Sequence, residues 1–133
     1  MKKIYSLSLL IIAHPTLGDI AKNPCERIES SQQVAQCAEY RRHHSDSLLN
    51  SSYKATLARI KNQYKNTPSL ADQYISLLRE AQREWIKLRD ADCKLEAFEI
   101  EETTEAYQTT INNCVSRISE DRAIYLNSIA PEI

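Results

Sequence analysis

The stretch AQREWIKLRDADC, residues 81–93, decides the fold. Its residues are mostly good helix formers. Yet Gln82, Arg83, Arg89, Asp90 and Asp92 crowd around Trp85, the chain's single tryptophan, and the stretch ends on Cys93. Polar groups this dense on a helix are a catalytic site, a binding surface or the internal wiring of a small scaffold. The answer depends on which face of the helix each residue occupies and on what lies to either side.

Upstream, Asn66-Thr67-Pro68 is a boundary, because proline disfavours helix in the residue before it. Thr67 is then placed to cap the helix of residues 81–93, with Pro68 at its first position, where a missing N–H costs nothing. That helix shows Leu70, Tyr74, Leu77, Leu78, Ala81, Trp85 and Leu88 at helical spacing. Before the boundary, Leu49, Tyr53, Leu57, Ile60 and Tyr64 mark another helix. It either starts upstream, near residues 26–37, or is preceded there by a separate short helix. After residue 93 the chain turns through KLEAFEIEETTE, and a third pattern runs from about Glu105 through Tyr107, Ile111, Cys114, Val115, Ile118, Tyr125, Leu126 and Ile129. The only glycine is Gly18, so tight hairpin turns have no support. The expected fold is all-α, an up-down bundle of three long helices with that short N-terminal helix left open.

The chain opens MKKIYSLSLLIIAHPTLG: two lysines, an apolar run from Ile4 to Ala13, then proline and small residues. This is the order of a secretory leader, with an apolar run too short to span a bilayer. Residues 1–18 are read as a signal peptide and residues 19–133 as one domain, periplasmic or secreted, with no membrane association once the leader is cleaved. Cys25 stands in AKNPC, which lacks the approach to a lipidated cysteine.

Export makes the cysteines structural. Cys25, Cys37, Cys93 and Cys114 are an even set in a short exported chain, which reads as two disulfides. Of the three pairings, Cys25–Cys37 and Cys93–Cys114 each close a local loop that a turn between helices supplies. A loop of this size contributes roughly 3 kcal/mol by the chain-entropy estimate. A zinc site using these cysteines with His43 and His44 matches no zinc spacing, and no cofactor is expected. Removing Lys2 and Lys3 with the leader leaves 15 basic against 18 acidic residues, a net charge near −3. That argues against nucleic acid, which wants a basic stripe, and suits a cationic partner.

Counting faces places the polar residues. Asp46 and Asn50 fall on the stripe of Leu49, Tyr53 and Leu57; Arg122 falls with Ile118, Tyr125 and Ile129; Asp92 falls below Trp85 and Leu88, with Arg89 and Gln82 at the edge. Buried charges must be paired, and arginine's planar fork suits carboxylates. The expectation is a network joining Arg89 and Arg122 to Asp46, Asp92 and Asp90 that fixes helix register. Catalysis finds less support: His43, His44, Ser45 and Asp46 are consecutive and point in different directions on one helix, and no Cys-x-x-Cys is present. The chain reads as a binding protein and not an enzyme. Its one notable surface feature is the acidic turn carrying Phe98, Glu99, Glu101, Glu102 and Glu105.

LLNSSY (48–53), AQREWIKLRDADC (81–93) and CVSRISEDR (114–122) together resemble the lysozyme-inhibitor LprI-like domain family, over roughly residues 25–126. The family pattern falls on Leu49, Asn50, Tyr53, Gln82, Arg83, Trp85, Arg89, Asp90, Cys93, Cys114 and Arg122. The resemblance implies a small exported bacterial helical protein that binds a protein partner. Two departures stand out. The loop between the last two cysteines is EIEETTEAY where relatives often carry glycine, and the lipidation signal of the founding member is absent. The function implied is inhibition of a lysozyme-type muramidase; the acidic turn from Phe98 to Glu105, held by the neighbouring disulfide, is the candidate to meet such a cationic enzyme. The alternative is an immunity or envelope-maintenance protein that binds another effector or envelope component.

Overall fold

The computed structural model describes residues 23–131; the expected leader, residues 1–18, lies outside them. Three helices follow one another, α1 (Ser31–Gln63), α2 (Pro68–Glu96) and α3 (Glu105–Ser128). Both expected disulfides are present, Cys25–Cys37 and Cys93–Cys114.

α1 is one unbroken helix of 33 residues, about 50 Å long at ~1.5 Å per residue. Residues 23–30 form no separate helix; the disulfide to Cys37 ties this turn back onto α1. Ser30 sets the start. Its extended backbone aims the hydroxyl at the Gln33 N–H, and the Gln33 side chain accepts in return from the Glu29 N–H. This is close to a capping box. Thr104 starts α3 in the same way, accepting from the Tyr107 N–H. Thr67 does occupy the N-cap position of α2, but its hydroxyl makes no capping bond. Its ψ of 67°, against 159° at Ser30 and 153° at Thr104, turns the side chain away.

α1 and α3 are the principal packed pair, with α2 lying more lightly against both. α1 and α3 run parallel. Arg42 bonds Asn112, Thr56 bonds the Leu126 carbonyl and Arg59 bonds the Ile129 carbonyl, each across a separation of 70 residues. The seam is built from small residues. Ala38, Ser45, Leu49, Ser52 and Thr56 of α1 face Asn112, Ser116, Ser119, Ala123 and Leu126 of α3, all buried. Steps of four and three keep each set on one side of its helix. The constant register sets Leu49 opposite Ser119 and Thr56 opposite Leu126, so a large side chain meets a small one.

Most hydroxyls in this seam have a partner: Ser45 donates to the Arg42 carbonyl, Ser116 donates to Glu120 and Ser119 accepts from Arg89. Thr56 Oγ1 lies 2.8 Å from both the Ser52 and Leu126 carbonyls and accepts from Arg59 at 3.0 Å. Arg59 also donates to the carbonyls of Leu126 and Ile129. α3 has no basic residue in its own last turn. Arg59 supplies the charge and the donors that a helix C-terminus needs from a different helix. Among the described residues no buried side-chain nitrogen or oxygen lacks a partner.

The stripe expected for α2 is rotated. Leu70, Leu77, Ala81 and Leu88 are exposed, Leu78 is buried as expected, and Ala71, Ile75 and Cys93 are buried with it. Tyr125 of α3 is exposed as well. Leucine spacing located the most apolar line on α2, whereas packing selected the line whose small residues let it approach α1 and α3. At the closed end, Tyr64 and Tyr74 meet edge to face at 6.0 Å.

Thr56→Val keeps the shape of the side chain but removes the hydroxyl that joins the Leu126 carbonyl and Arg59, which stay bonded to each other. It is expected to cost about 0.5–1.5 kcal/mol in urea unfolding, while Thr56→Ser, which keeps the hydroxyl, costs less.

Candidate functional site

The polar residues of the 81–93 stretch form a clamp around Trp85. Arg89 and Arg122 each place a guanidinium near the indole, at 5.4 and 5.3 Å from the ring centroid, and Arg122 also lies 4.8 Å from the Tyr125 ring. Such contacts bind a cation to the electron-rich face of a ring. Arg122 Nε donates to Gln82 Oε1 at 3.0 Å. Burial lowers the Arg122 pKa from the ordinary guanidinium value, and Tyr125 acts in the opposite direction.

Arg89 is the best-connected charge. Its side chain is 11% exposed and makes a two-point contact with Asp90. It donates to Ser119 of α3 at 3.3 Å and lies 3.9 Å from Asp46 of α1. One arginine of α2 therefore touches both other helices. The expected network forms only in part. Asp92 reaches neither arginine within ion-pair distance among the described residues, and Arg122 is met by an amide and two rings in place of a carboxylate. Both guanidiniums lie against the Trp85 ring, which serves Arg122 in place of a carboxylate.

Asn50 and Arg83, both exposed, belong elsewhere. With Leu49, Tyr53, Arg79, Gln82 and Ile86 they line a shallow groove of about 420 Å³ between α1 and α2. The groove has an apolar floor, two arginines and no acidic residue.

The acidic turn, residues 97–104, joins α2 to α3 and is held at both ends. Cys93 and Cys114, both buried, bridge the helices beneath it, and Ala97 is fully buried. Glu96 pairs with Arg117 across the two helices. Inside the turn, Ile100 N–H donates to the Ala97 carbonyl, and the Thr104 N–H and hydroxyl both donate to the Glu101 carbonyl. Glu105 enters the first turn of α3, where a carboxylate favours the helix dipole. Phe98 is 83% exposed, and Glu99, Glu101, Glu102 and Glu105 are all exposed. The turn is thus a fixed projection with one bare aromatic ring among carboxylates. It lies apart from the Trp85 clamp, which is half-buried.

Four residues on which the fold depends were not singled out from sequence: Arg42, Thr56, Arg59 and Asn112. The signal for them was present in the four-and-three spacing of small and polar residues along α1 and α3.

A family model described as lysozyme inhibitor LprI matches residues 22–126. The chain belongs to this family. The crystal structure of a DUF1311 family protein from Pseudomonas putida KT2440 superposes on this LprI family member with a TM-score of 0.70 at 31% identity, covering 80% of this chain and all of that one. An uncharacterized protein of Rhizobium meliloti (strain 1021) is 24% identical over 128 residues, covering 93% of this chain and 91% of that protein. The LprI region takes in α1, α2, α3 as far as Leu126, both disulfides and the turn.

Arg89→Ala removes the contacts to Asp46, Asp90 and Ser119 together and leaves Trp85 half uncovered. It is expected to cost about 2–4 kcal/mol in denaturant unfolding. Arg83→Ala, on the open groove, should stay within about 0.5 kcal/mol of wild type in the same assay.

Proposed function

We propose that this LprI family member is an exported binding protein that blocks a lysozyme-type muramidase by seating the 97–104 turn in the enzyme's cleft. The observation that carries this reading is the turn itself, which presents Phe98 83% exposed on a segment stapled by Cys93–Cys114. A bare phenylalanine is valuable in an interface, where its burial is worth about 1.5–3 kcal/mol. Rigidity matters as much, because a turn already held in place loses little entropy on binding.

The charges divide the work. A retaining glycosidase cleft holds two carboxylates, which would repel glutamates entering it. Phe98 therefore leads into the cleft, and Glu99, Glu101 and Glu102 meet the cationic surface around it. Complementary charge of this kind raises the association rate more than the final affinity. The family description supports the partner class. Export through a leader over residues 1–18 would bring the protein to the compartment where such enzymes act. Among the described residues, no helix is long and apolar enough to cross a membrane.

The groove favours a second reading. Asn50 and Arg83, two residues of the family pattern, lie on a surface that carries arginines and no acid. That surface suits an anionic partner, such as an acidic effector or an anionic envelope component.

Purified disulfide-bonded protein should slow cell-wall lysis by a cationic lysozyme, and less so at high salt, since exposed charges are screened. Phe98→Ala should raise the half-inhibitory concentration at least tenfold with unchanged thermal stability. The absence of inhibition of several lysozymes at micromolar excess would remove the muramidase reading and leave the second.

A further inference from the structure

The outer face of α2 carries an apolar line that no other element covers among the described residues. Leu70, Leu77, Leu88 and Leu95 are 46%, 64%, 59% and 72% exposed. At ~100° per residue they fall within about 20° of one line along the helix, a stripe about 37 Å long. Ala81, also exposed, lies on the same line. The stripe stands roughly 100° round the helix from buried Ala71, Ile75, Leu78 and Cys93. α2 therefore has two apolar faces, one packed and one bare. Single exposed leucines need no explanation, but four in register do.

We propose that this stripe binds a second copy of the chain, α2 packing antiparallel on α2 about a two-fold axis. The spacing points to the occupant. Leu77 and Leu88 are equally far from the midpoint between Gln82 and Arg83, and so are Leu70 and Leu95. In an antiparallel pair, Leu77 meets Leu88 of the partner subunit and Leu70 meets Leu95 of the partner subunit. All the leucines are matched, as a self-complementary interface requires.

Charge selects the direction. Glu80 and Lys87 border the stripe on the same side. Antiparallel packing brings that side against itself, which sets Glu80 beside Lys87 of the partner subunit and the reverse. Parallel packing would instead set the two Glu84 carboxylates side by side. In the single chain Glu84 is occupied by Lys87 at 2.8 Å, and Ala81 leaves room for it at the centre of the antiparallel pair. Four leucines from each copy approach the lower end of specific interfaces, about 600 Å² per partner, so the dimer is a micromolar one. Antiparallel packing also sends the two 97–104 turns to opposite ends, leaving each open to its own partner.

Sedimentation equilibrium of the disulfide-bonded protein tests this. The mass should rise from one chain toward two across the micromolar range. Leu77→Lys should weaken association at least tenfold, with an unchanged circular dichroism melt because the position is exposed. Adding Leu88→Glu to the same chain should restore association, since each lysine then faces a glutamate of the other copy. A monomer at every concentration overturns the proposal, also if the stripe is then found to take a detergent micelle. A dimer indifferent to Leu77→Lys overturns it as well, and failure of the double variant to recover overturns the antiparallel register.

Discussion

The close parallel contact between α1 and α3 is the constraint on which the rest of this structure depends. Two long helices can approach closely only if the side chains between them are small, and Ala38, Ser45, Ser52, Ser116, Ser119 and Ala123 meet that condition. Small residues bury little apolar area, so the seam draws on hydrogen bonds as well. Thr56 and Arg59 bond backbone carbonyls at the end of α3, and Arg42 bonds Asn112 near its start. These bonds hold because they are complete: an unsatisfied polar group there would cost what the close approach gains.

α2 is held by a different device. Its contact with the other helices is lighter, and it is fastened at chosen points. Cys93–Cys114 pins it to α3 near the turn, Tyr64–Tyr74 closes the far end, and the Trp85 clamp secures the middle. Arginines in the clamp can be partly buried because each has several partners of different kinds. Arg89 has carboxylates, a hydroxyl and a ring; Arg122 has an amide and two rings. A guanidinium is flat and weakly hydrated, so stacking on an aromatic ring recovers part of the cost of leaving water. The same light packing leaves one apolar face of α2 bare.

Scaffold and surface divide along these lines. The clamp and the seam face inward and fix the register. What faces outward is the stapled turn with Phe98, the arginine-bearing groove and the leucine stripe, and these lie on separate parts of the molecule. The division is not complete, since Leu49 of the seam and Gln82 of the clamp also line the groove.

Much of the fold was legible in the sequence by itself. Thr67-Pro68 marked a helix boundary, the absence of glycine after residue 18 excluded tight hairpins, and four cysteines at local spacings marked the two staples. The AQR-x-W and RDA-x-C elements marked the family, and the acidic turn was visible as the break between two helical patterns. What only the tertiary structure decided is which polar residues are interior and which leucines are not. Ser45, Ser52, Thr56, Ser116 and Ser119 look like surface residues in the sequence and are buried, because small side chains fit where helices pack closely and most of their hydroxyls find a carbonyl, a carboxylate or a guanidinium there. Leu70, Leu77 and Leu88 look like core and are exposed, and Leu95 is exposed on the same line. Hydropathy ranks residues one at a time, whereas the register of α1 against α3 is a property of two helices together. That register set where α2 could dock, and with it which of its faces stayed open.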